Sequence, residues 1–436
     1  MTEPRLALKK IGLNLRRGTS RLRGNLSVSN SRFLIYLSLL GPGIIAASSG
    51  NEASGIAVYS SAGADYGYTL LWSFVPMTIC FIVAQEMCVR MGVVTRKGLA
   101  DLIREQFGIR WTVIVMLSLL VANVGVIISE FIGIAQASEI FGISRYFSVP
   151  ATALVIWWLI AKGTPKKIEQ VFLLMSLIFF TYIISAFLAK PDWQQVGREF
   201  VKPSISFETG YLFMVMTLIG TTITPFMQVF VQSSVVEKGM TKADYKIARA
   251  DAVVGVFFAN IVAAFIVIAA AATLHAQGIK VESAADAARA LAPVVGEYAK
   301  YLFAVGLFGA SMLAMGVLPL ATAYSLSESL GFEKGLSHSF REAPIFLGIF
   351  TSLIAVGAIV ALVPNIPQIQ LLLVTQCVNG LLLPILLTAI VLLSSNAEIM
   401  GDYKNSFIFK CLAWIITIIV SILSVLLLVT GFIDIF

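Results

Sequence analysis

The sequence predicts an all-α polytopic membrane protein with about eleven transmembrane helices: two inverted five-helix repeats and one extra helix. Three observations carry this expectation. Hydrophobic residues fill 58% of the 436 positions and charged residues only 13%, about half the roughly 25% of a soluble domain. Apolar runs of about 20 residues, the thickness of a bilayer core, recur along the whole length. Two of these runs, the first and the sixth, carry polar and helix-breaking residues at their centres.

The spans are expected near 34–61, 68–90, 112–139, 147–162, 167–189, 208–235, 250–274, 297–329, 343–363, 367–394 and 406–433. No stretch is polar and long enough for a separate soluble domain, so 33–436 reads as one transmembrane domain. Residues 1–32 read as a basic tail. The loops after spans two, four and six are rich in Lys and Arg, as is the tail, whereas AGADYG after span one and NIPQ after span nine contain none. That alternation puts the amino terminus in the cytoplasm and the carboxy terminus outside, in a cell (inner) membrane. A transit peptide is the alternative for a basic, Ser-containing start. No cleavable apolar core is present there, and a cytoplasmic tail lying on anionic lipid is preferred.

The net charge of +7 does not indicate nucleic acid, because the basic residues gather in short loops beside the spans. Cys80, Cys88, Cys377 and Cys411 all fall in predicted spans without paired spacing. Neither a zinc site nor a disulfide framework follows from that pattern.

Within the first run, Ser48-Ser49-Gly50-Asn51-Glu52-Ala53-Ser54-Gly55 is out of place in lipid. An ionisable side chain near the midplane costs several kcal/mol and marks a functional site. The clustered Gly and Ser residues suggest that the helix unwinds beside Glu52 and frees backbone carbonyls. Irregular backbone at that depth survives only inside protein or along a cavity. The sixth run holds Gly220-Thr221-Thr222-Ile223-Thr224-Pro225. Proline lacks the N–H that would continue the helix. A lone kink is the plain explanation, but a matching break at the corresponding place of both repeats points to a transporter's substrate site.

Other buried polar residues divide into two groups. Glu86 lies four residues before Arg90, which suggests an i, i+4 pair. Glu139, His275 and His338 fall near span ends or in loops and read as solvated. Glu130 is deeper, and serves either an ion or proton route or a buried polar pair. Gln376 and Asn379 share one face of span ten, and either bond between helices or reach an ion.

With LGPGIIAA opening span one, AGADYGYTLLW leading into span two, SEFIGIA in span three and IMGDYKNS before span eleven, the chain resembles the Nramp family of divalent metal transporters from about Gly41 onward. The resemblance implies an amino-acid-transporter-like fold with helices one and six broken around a midplane metal site. It also implies metal ligands. The family's Asp-Pro-Gly-Asn falls on Glu52-Ala53-Ser54-Gly55, so the acid is kept as Glu52 and the amide ligand is lost to Gly55. The family's Met-Pro-His falls on Thr224-Pro225-Phe226. Family carbonyl ligands fall on Ser49 and Thr221, and the helix-ten Gln falls on Gln376. Of an acidic pair in helix three only the second survives, as Glu130; the first is Ile127.

These departures share a direction. A thioether favours soft transition metals, and an oxygen ligand removes that bias. Mg2+ takes oxygen ligands and keeps several waters. Gly55 and Thr224 suggest a roomier and harder site, with Glu52 supplying the charge. The missing His removes the side chain best suited to proton exchange near neutral pH. The pattern resembles the prokaryotic Nramp-related magnesium transporters, which implies uptake of Mg2+, with Mn2+ tolerated, by alternating access without protons. The transported divalent ions and membrane lipid are the expected partners, and no cofactor is expected. The alternatives are a proton-coupled Mn2+ or Fe2+ importer of ordinary Nramp type, an amino-acid permease of the same fold, and a non-transporting receptor. Glu52 would repel the carboxylate that an amino-acid permease must bind. An enzyme is not supported, since no nucleophile–His set, metal-protease motif or phosphate loop is present.

Overall fold

The computed structural model describes residues 41–162, 171, 179–282, 284–288, 299–332, 342–364 and 367–433. The expected tail at 1–32, the start of span one, most of 167–178 and His338 lie outside the described residues. Every regular element among those described is helical.

The first repeat begins with a broken helix, α1 (Pro42–Ser48) and α2 (Ala53–Tyr66). It continues through α3 (Phe74–Thr95), α4 (Leu99–Ile140), α5 (Arg145–Lys162) and α6 (Phe180–Leu188). A short helix, α7 (Trp193–Val201), joins the repeats. The second repeat opens with another broken helix, α8 (Thr209–Thr222) and α9 (Pro225–Glu237). It runs on through α10 (Tyr245–Thr273), the short α11 (Ala284–Ala288), α12 (Ala299–Leu330), α13 (Pro344–Ala361) and α14 (Gln368–Ser395). After a single turn, α15 (Ala397–Met400), the last helix is α16 (Phe407–Ile433). Eight described helices are long and apolar enough to cross a bilayer. The count takes the two halves of the sixth span, α8 and α9, as one stretch (Thr209–Glu237), and does not include the described halves of the first span, α1 and α2, of 7 and 14 residues.

Two boundaries differ from expectation. The third span begins at Leu99 rather than near 112, because a helical segment precedes it and bends at Gly108, whose φ is 74°. The loop between spans five and six folds into α7, where Asp192 Oδ1 accepts the N–H groups of Gln194 and Gln195 at 3.0 and 3.1 Å. Asp followed by a short amphipathic run is a helix-start signal.

The core is formed by the broken helices and the elements that grip them. α10 packs along both α1 and α2, α4 runs along α12, α14 contacts α2, α4 and α8, and α9 lies on α3. Residues Ala53 to Ala64 of α2 are all buried. α8 and α14 meet with almost no side chain between them: a Cβ on Gly220 would lie 1.9 Å from the Gln376 carbonyl oxygen, and one on Gly380 would lie 2.5 Å from that of Met216. The periphery is apolar and suits lipid. α16 exposes Ile415, Ile418, Ile422 and Val425, and α4 exposes Ile114, Leu117 and Val121.

The Glu86–Arg90 pair forms as expected, at 3.0 Å and largely buried. It belongs to a larger junction. Arg90 also donates to the Tyr403 carbonyl at 2.7 Å and to Asn405 Oδ1 at 2.5 Å, and Tyr245 donates to Glu86. Thus α3, α10 and the turn before α16 are tied at one end of the bundle.

Candidate cation site

Both helix breaks occur where the sequence places them, and each has an identifiable backbone cause. Ser49 to Glu52 separate α1 from α2. In an unbroken helix the N–H groups of Ala53 and Ser54 would bond the carbonyls of Ser49 and Gly50. Instead they donate to Glu130 of α4, at 3.0 Å to Oε2 and 3.4 Å to Oε1. A carboxylate suits this position because the amino-terminal end of a helix is electropositive. The Ser49 and Gly50 carbonyls are thereby released from the helical ladder.

The second break frees a carbonyl by a different route. α8 ends at Thr222 and α9 starts with Pro225. Proline has no N–H, so the carbonyl four residues back, that of Thr221, loses its helical partner. It accepts the Thr224 hydroxyl at 3.1 Å instead, and one lone pair remains.

The two breaks face each other. A Cβ on Gly50 would lie 3.2 Å from the Thr221 carbonyl oxygen, and one on Gly55 would lie 2.9 Å from Thr221 Oγ1. Glu52 is fully buried between them. Its Oε1 accepts hydrogen bonds from Ser54 Oγ at 3.0 Å and Gln376 Nε2 at 2.5 Å. Its Oε2 has no hydrogen-bond partner, and the buried Thr221 Oγ1 is likewise unpartnered. The ion pairs among the described residues involve Glu86, Glu105 and Glu139, not Glu52. A buried carboxylate is retained only with a countercharge or a proton. Released carbonyls, hydroxyls and a carboxylate without a basic neighbour form an oxygen-rich pocket, which suits a cation, with the Met227 methyl carbon packed against Gly50 beside it.

Of the five residues assigned as ligands from the sequence, Glu52 and Gln376 are in direct contact, Thr221 faces the unwound stretch, Thr224 bonds to the Thr221 carbonyl, and Ser49 lies within the unwound stretch itself. The Ser49 hydroxyl donates to the Ala46 carbonyl at 2.6 Å, which leaves its carbonyl as the available donor. Gln376 presents its NH2 rather than its oxygen to Glu52, because Asn379 Nδ2 donates to Gln376 Oε1 at 2.9 Å. Turning both amides over would direct Gln376 Oε1 into the site and set its NH2 against Asn379 Oδ1, which has no partner. Asn51 donates to the Ala259 carbonyl at 3.1 Å and so points towards α10; it does not replace the amide lost at Gly55.

The expectation of extra room at Gly55 is not met. A Cβ there would lie 2.5 Å from the Gly50 carbonyl oxygen. The glycine permits close approach of the unwound backbone instead of opening a void. Two contributions were not drawn from the sequence. Ser54 accepts from Gln376 Nε2 at 2.6 Å and stands between the carboxylates of Glu52 and Glu130, at 3.0 and 3.3 Å. Glu130, for which an ion route and a buried polar pair were both open, caps α2. No local pattern signalled this cap, since Glu52, the residue before α2, makes no side-chain bond to its N–H groups and the capping carboxylate comes from α4.

The comparisons with known proteins agree with this architecture. Over 425 residues the chain is 25% identical to the divalent metal cation transporter MntH of Deinococcus radiodurans, covering 94% of this chain and 93% of that protein. Over 415 residues it is 29% identical to the MntH of Agrobacterium fabrum, covering 91% and 88%. Among solved structures, the fold is similar to that of a manganese transporter from Eremococcus coleocola, with a TM-score of 0.72 at 21% identity over 92% of this chain and 88% of that one. The profile of the Nramp family, described as natural resistance-associated macrophage protein-like, matches residues 43–430. With that match spanning nearly the whole described chain, the protein belongs to the Nramp family.

Proposed function

We propose that this chain imports Mg2+, and also Mn2+, through the membrane by alternating access without moving protons, as the Nramp-related magnesium transporters do. Membership of a family whose relatives are named divalent metal cation transporters supports the broader reading of divalent metal transport. The observation that carries the finer reading is the donor set around Glu52. It offers carboxylate, carbonyl and hydroxyl oxygens from Glu52, Ser49, Thr221 and Thr224, with Gln376 alongside and no imidazole among these residues; the thioether of Met227 lies beside it and turns its methyl carbon to Gly50. Mg2+ is matched by such ligands and retains waters in their company.

The site faces neither basic side chain nor open lipid, so the cation itself is the natural countercharge for Glu52. With the basic loops facing the cytoplasm, a membrane potential negative inside drives a divalent ion inward by about 4.6 kcal/mol per 100 mV, twice the single-charge value. The basic tail at 1–32 is assigned to the cytoplasmic surface and the carboxy terminus to the opposite side.

A second reading has one observation in its favour. Glu130 is linked to Glu52 through Ser54, and two linked carboxylates could hold the proton that a proton-coupled Mn2+ importer moves. One experiment separates the two. Purified protein in liposomes with an internal pH dye is given external Mg2+ or Mn2+ under an inside-negative potential. Accumulation of both ions with a constant internal pH is expected. Acidification that follows metal entry would replace the uncoupled reading with the proton-coupled one.

A further inference from the structure

A second polar feature lies away from the cation site, in the seam between α3 and α9. Gln85 on α3 and Gln228 on α9 are both completely buried, and none of their four side-chain polar atoms has a hydrogen-bond partner. Gln232, one turn beyond Gln228, is also buried. Its NH2 donates to the Lys97 carbonyl at 2.9 Å, while its Oε1 is unpartnered. Buried amides are almost always satisfied, so such a group of exceptions calls for an explanation.

Helical spacing puts the three amides along one seam. Gly92 brings the helices together: a Cβ there would lie 3.2 Å from the Gln232 carbonyl oxygen and 3.4 Å from Gln232 Cγ. Gln85 is seven residues before Gly92, two turns away on the same face. Gln228 is four residues before Gln232, again on the same face. Both helices run in the same direction, so Gln85 lies about 10.5 Å back from the contact and Gln228 about 6 Å back. The seam begins at the cation site. Gln228 is one turn beyond Thr224, and the side chain before it, Met227, meets the unwound stretch of span one, since a Cβ on Gly50 would lie 2.3 Å from Met227 Cε. It ends at Lys97, where α3 gives way to a loop.

We propose that this seam is the lane by which the hydrated cation leaves the Glu52 site for the cytoplasm. This rests on the transport reading above. Amide oxygens accept hydrogen bonds from the waters of a divalent ion without stripping them. Being uncharged, they hold the ion too weakly to trap it, which a carboxylate in the same place would do. Passage requires α3 and α9 to part by about the width of a water shell, and Gly92 presents no side chain of its own to the Gln232 and Val235 side chains packed on it.

The test uses full-length protein in liposomes, with Gln85→Leu, Gln228→Leu and the double variant compared with wild type. The double variant is expected to lose at least about tenfold of the maximal Mg2+ uptake rate, with each single variant losing less. Mn2+ binding to the purified protein, measured by calorimetry, is expected to stay within about twofold of wild type. The melting temperature should be unchanged or higher, since unpaired buried amides have been removed. Gln228→Asn, which keeps the amide, should recover much of the rate. Uptake at the wild-type rate by the double variant overturns the lane, as does a loss of Mn2+ binding parallel to the loss of uptake, which would place the residues in the site or the fold. Wild-type vesicles that accumulate neither ion overturn the transport reading itself and the lane with it.

Discussion

Glu130 and Ala53 are joined by a hydrogen bond of 3.0 Å from the first N–H of α2 to a carboxylate on α4. That bond accounts for the released Ser49 carbonyl, because an N–H donating to Glu130 cannot also close the turn onto Ser49. Glu130 is therefore a positioning residue for the site. Replacing it by Ala leaves the Ala53 and Ser54 N–H groups free to recapture the carbonyls of Ser49 and Gly50. Removing a helix cap costs about 0.5–2 kcal/mol. The KM for Mn2+ in liposomes should rise roughly tenfold, equivalent to about 1.4 kcal/mol, with a smaller effect on the maximal rate. Glu130→Gln keeps one acceptor and should fall between. A change confined to the maximal rate would show that the cap does not set the site.

Glu52→Gln removes the only charge among the proposed ligands while keeping the side chain's shape and its bonds to Ser54 and Gln376. Transport should drop by about 100-fold, or about 2.8 kcal/mol, and the melting temperature should hold or rise because a buried unpaired charge is gone. Near-normal uptake by this variant would remove Glu52 from the ligand set.

Thr224→Met places a thioether beside the freed Thr221 carbonyl. The ratio of Mn2+ to Mg2+ uptake should move towards Mn2+ by about tenfold, following the preference of sulfur for softer metals. Competition uptake with both ions present measures this directly. An unchanged ratio would mean that ligand hardness at position 224 does not set selectivity.

Gly55→Asn restores the residue found in typical family members, yet it should not improve binding. A Cβ at this position would lie 2.5 Å from the Gly50 carbonyl oxygen, and overpacking costs about 1–3 kcal/mol. A lower melting temperature with weaker Mn2+ binding by calorimetry is expected. Tighter binding would show that the unwound stretch relaxes more readily than its packing implies.

The sequence carried most of the fold because lipid-facing helices announce themselves by length and apolarity. The broken helices were legible for the same reason: Glu52 and Pro225 are costly in lipid unless they serve something. What it could not convey was direction. Gln376 and Asn379 stand three apart on one face, but their spacing does not say which amide end faces Glu52. Gly55 suggested space where the folded chain has close contact, because the volume freed by a missing side chain depends on what moves into it. The reach of Arg90 to Tyr403 and Asn405, more than 300 positions away in sequence, also lies beyond any local pattern. Only its pairing with Glu86, one turn away, could be anticipated.

The bare contact between α8 and α14 has a mechanical consequence. With Gly220 pressed onto the Gln376 carbonyl and Gly380 onto that of Met216, neither helix can slide past the other without a backbone collision. Thr221 and Gln376 adjoin that contact and so ride on a single rigid block. For an ion gripped from both sides, the yielding jaw is the four-residue unwound stretch from Ser49 to Glu52. Loosening the grip on the ion then begins with bending that short strip away from a fixed anvil, before any outer seam parts.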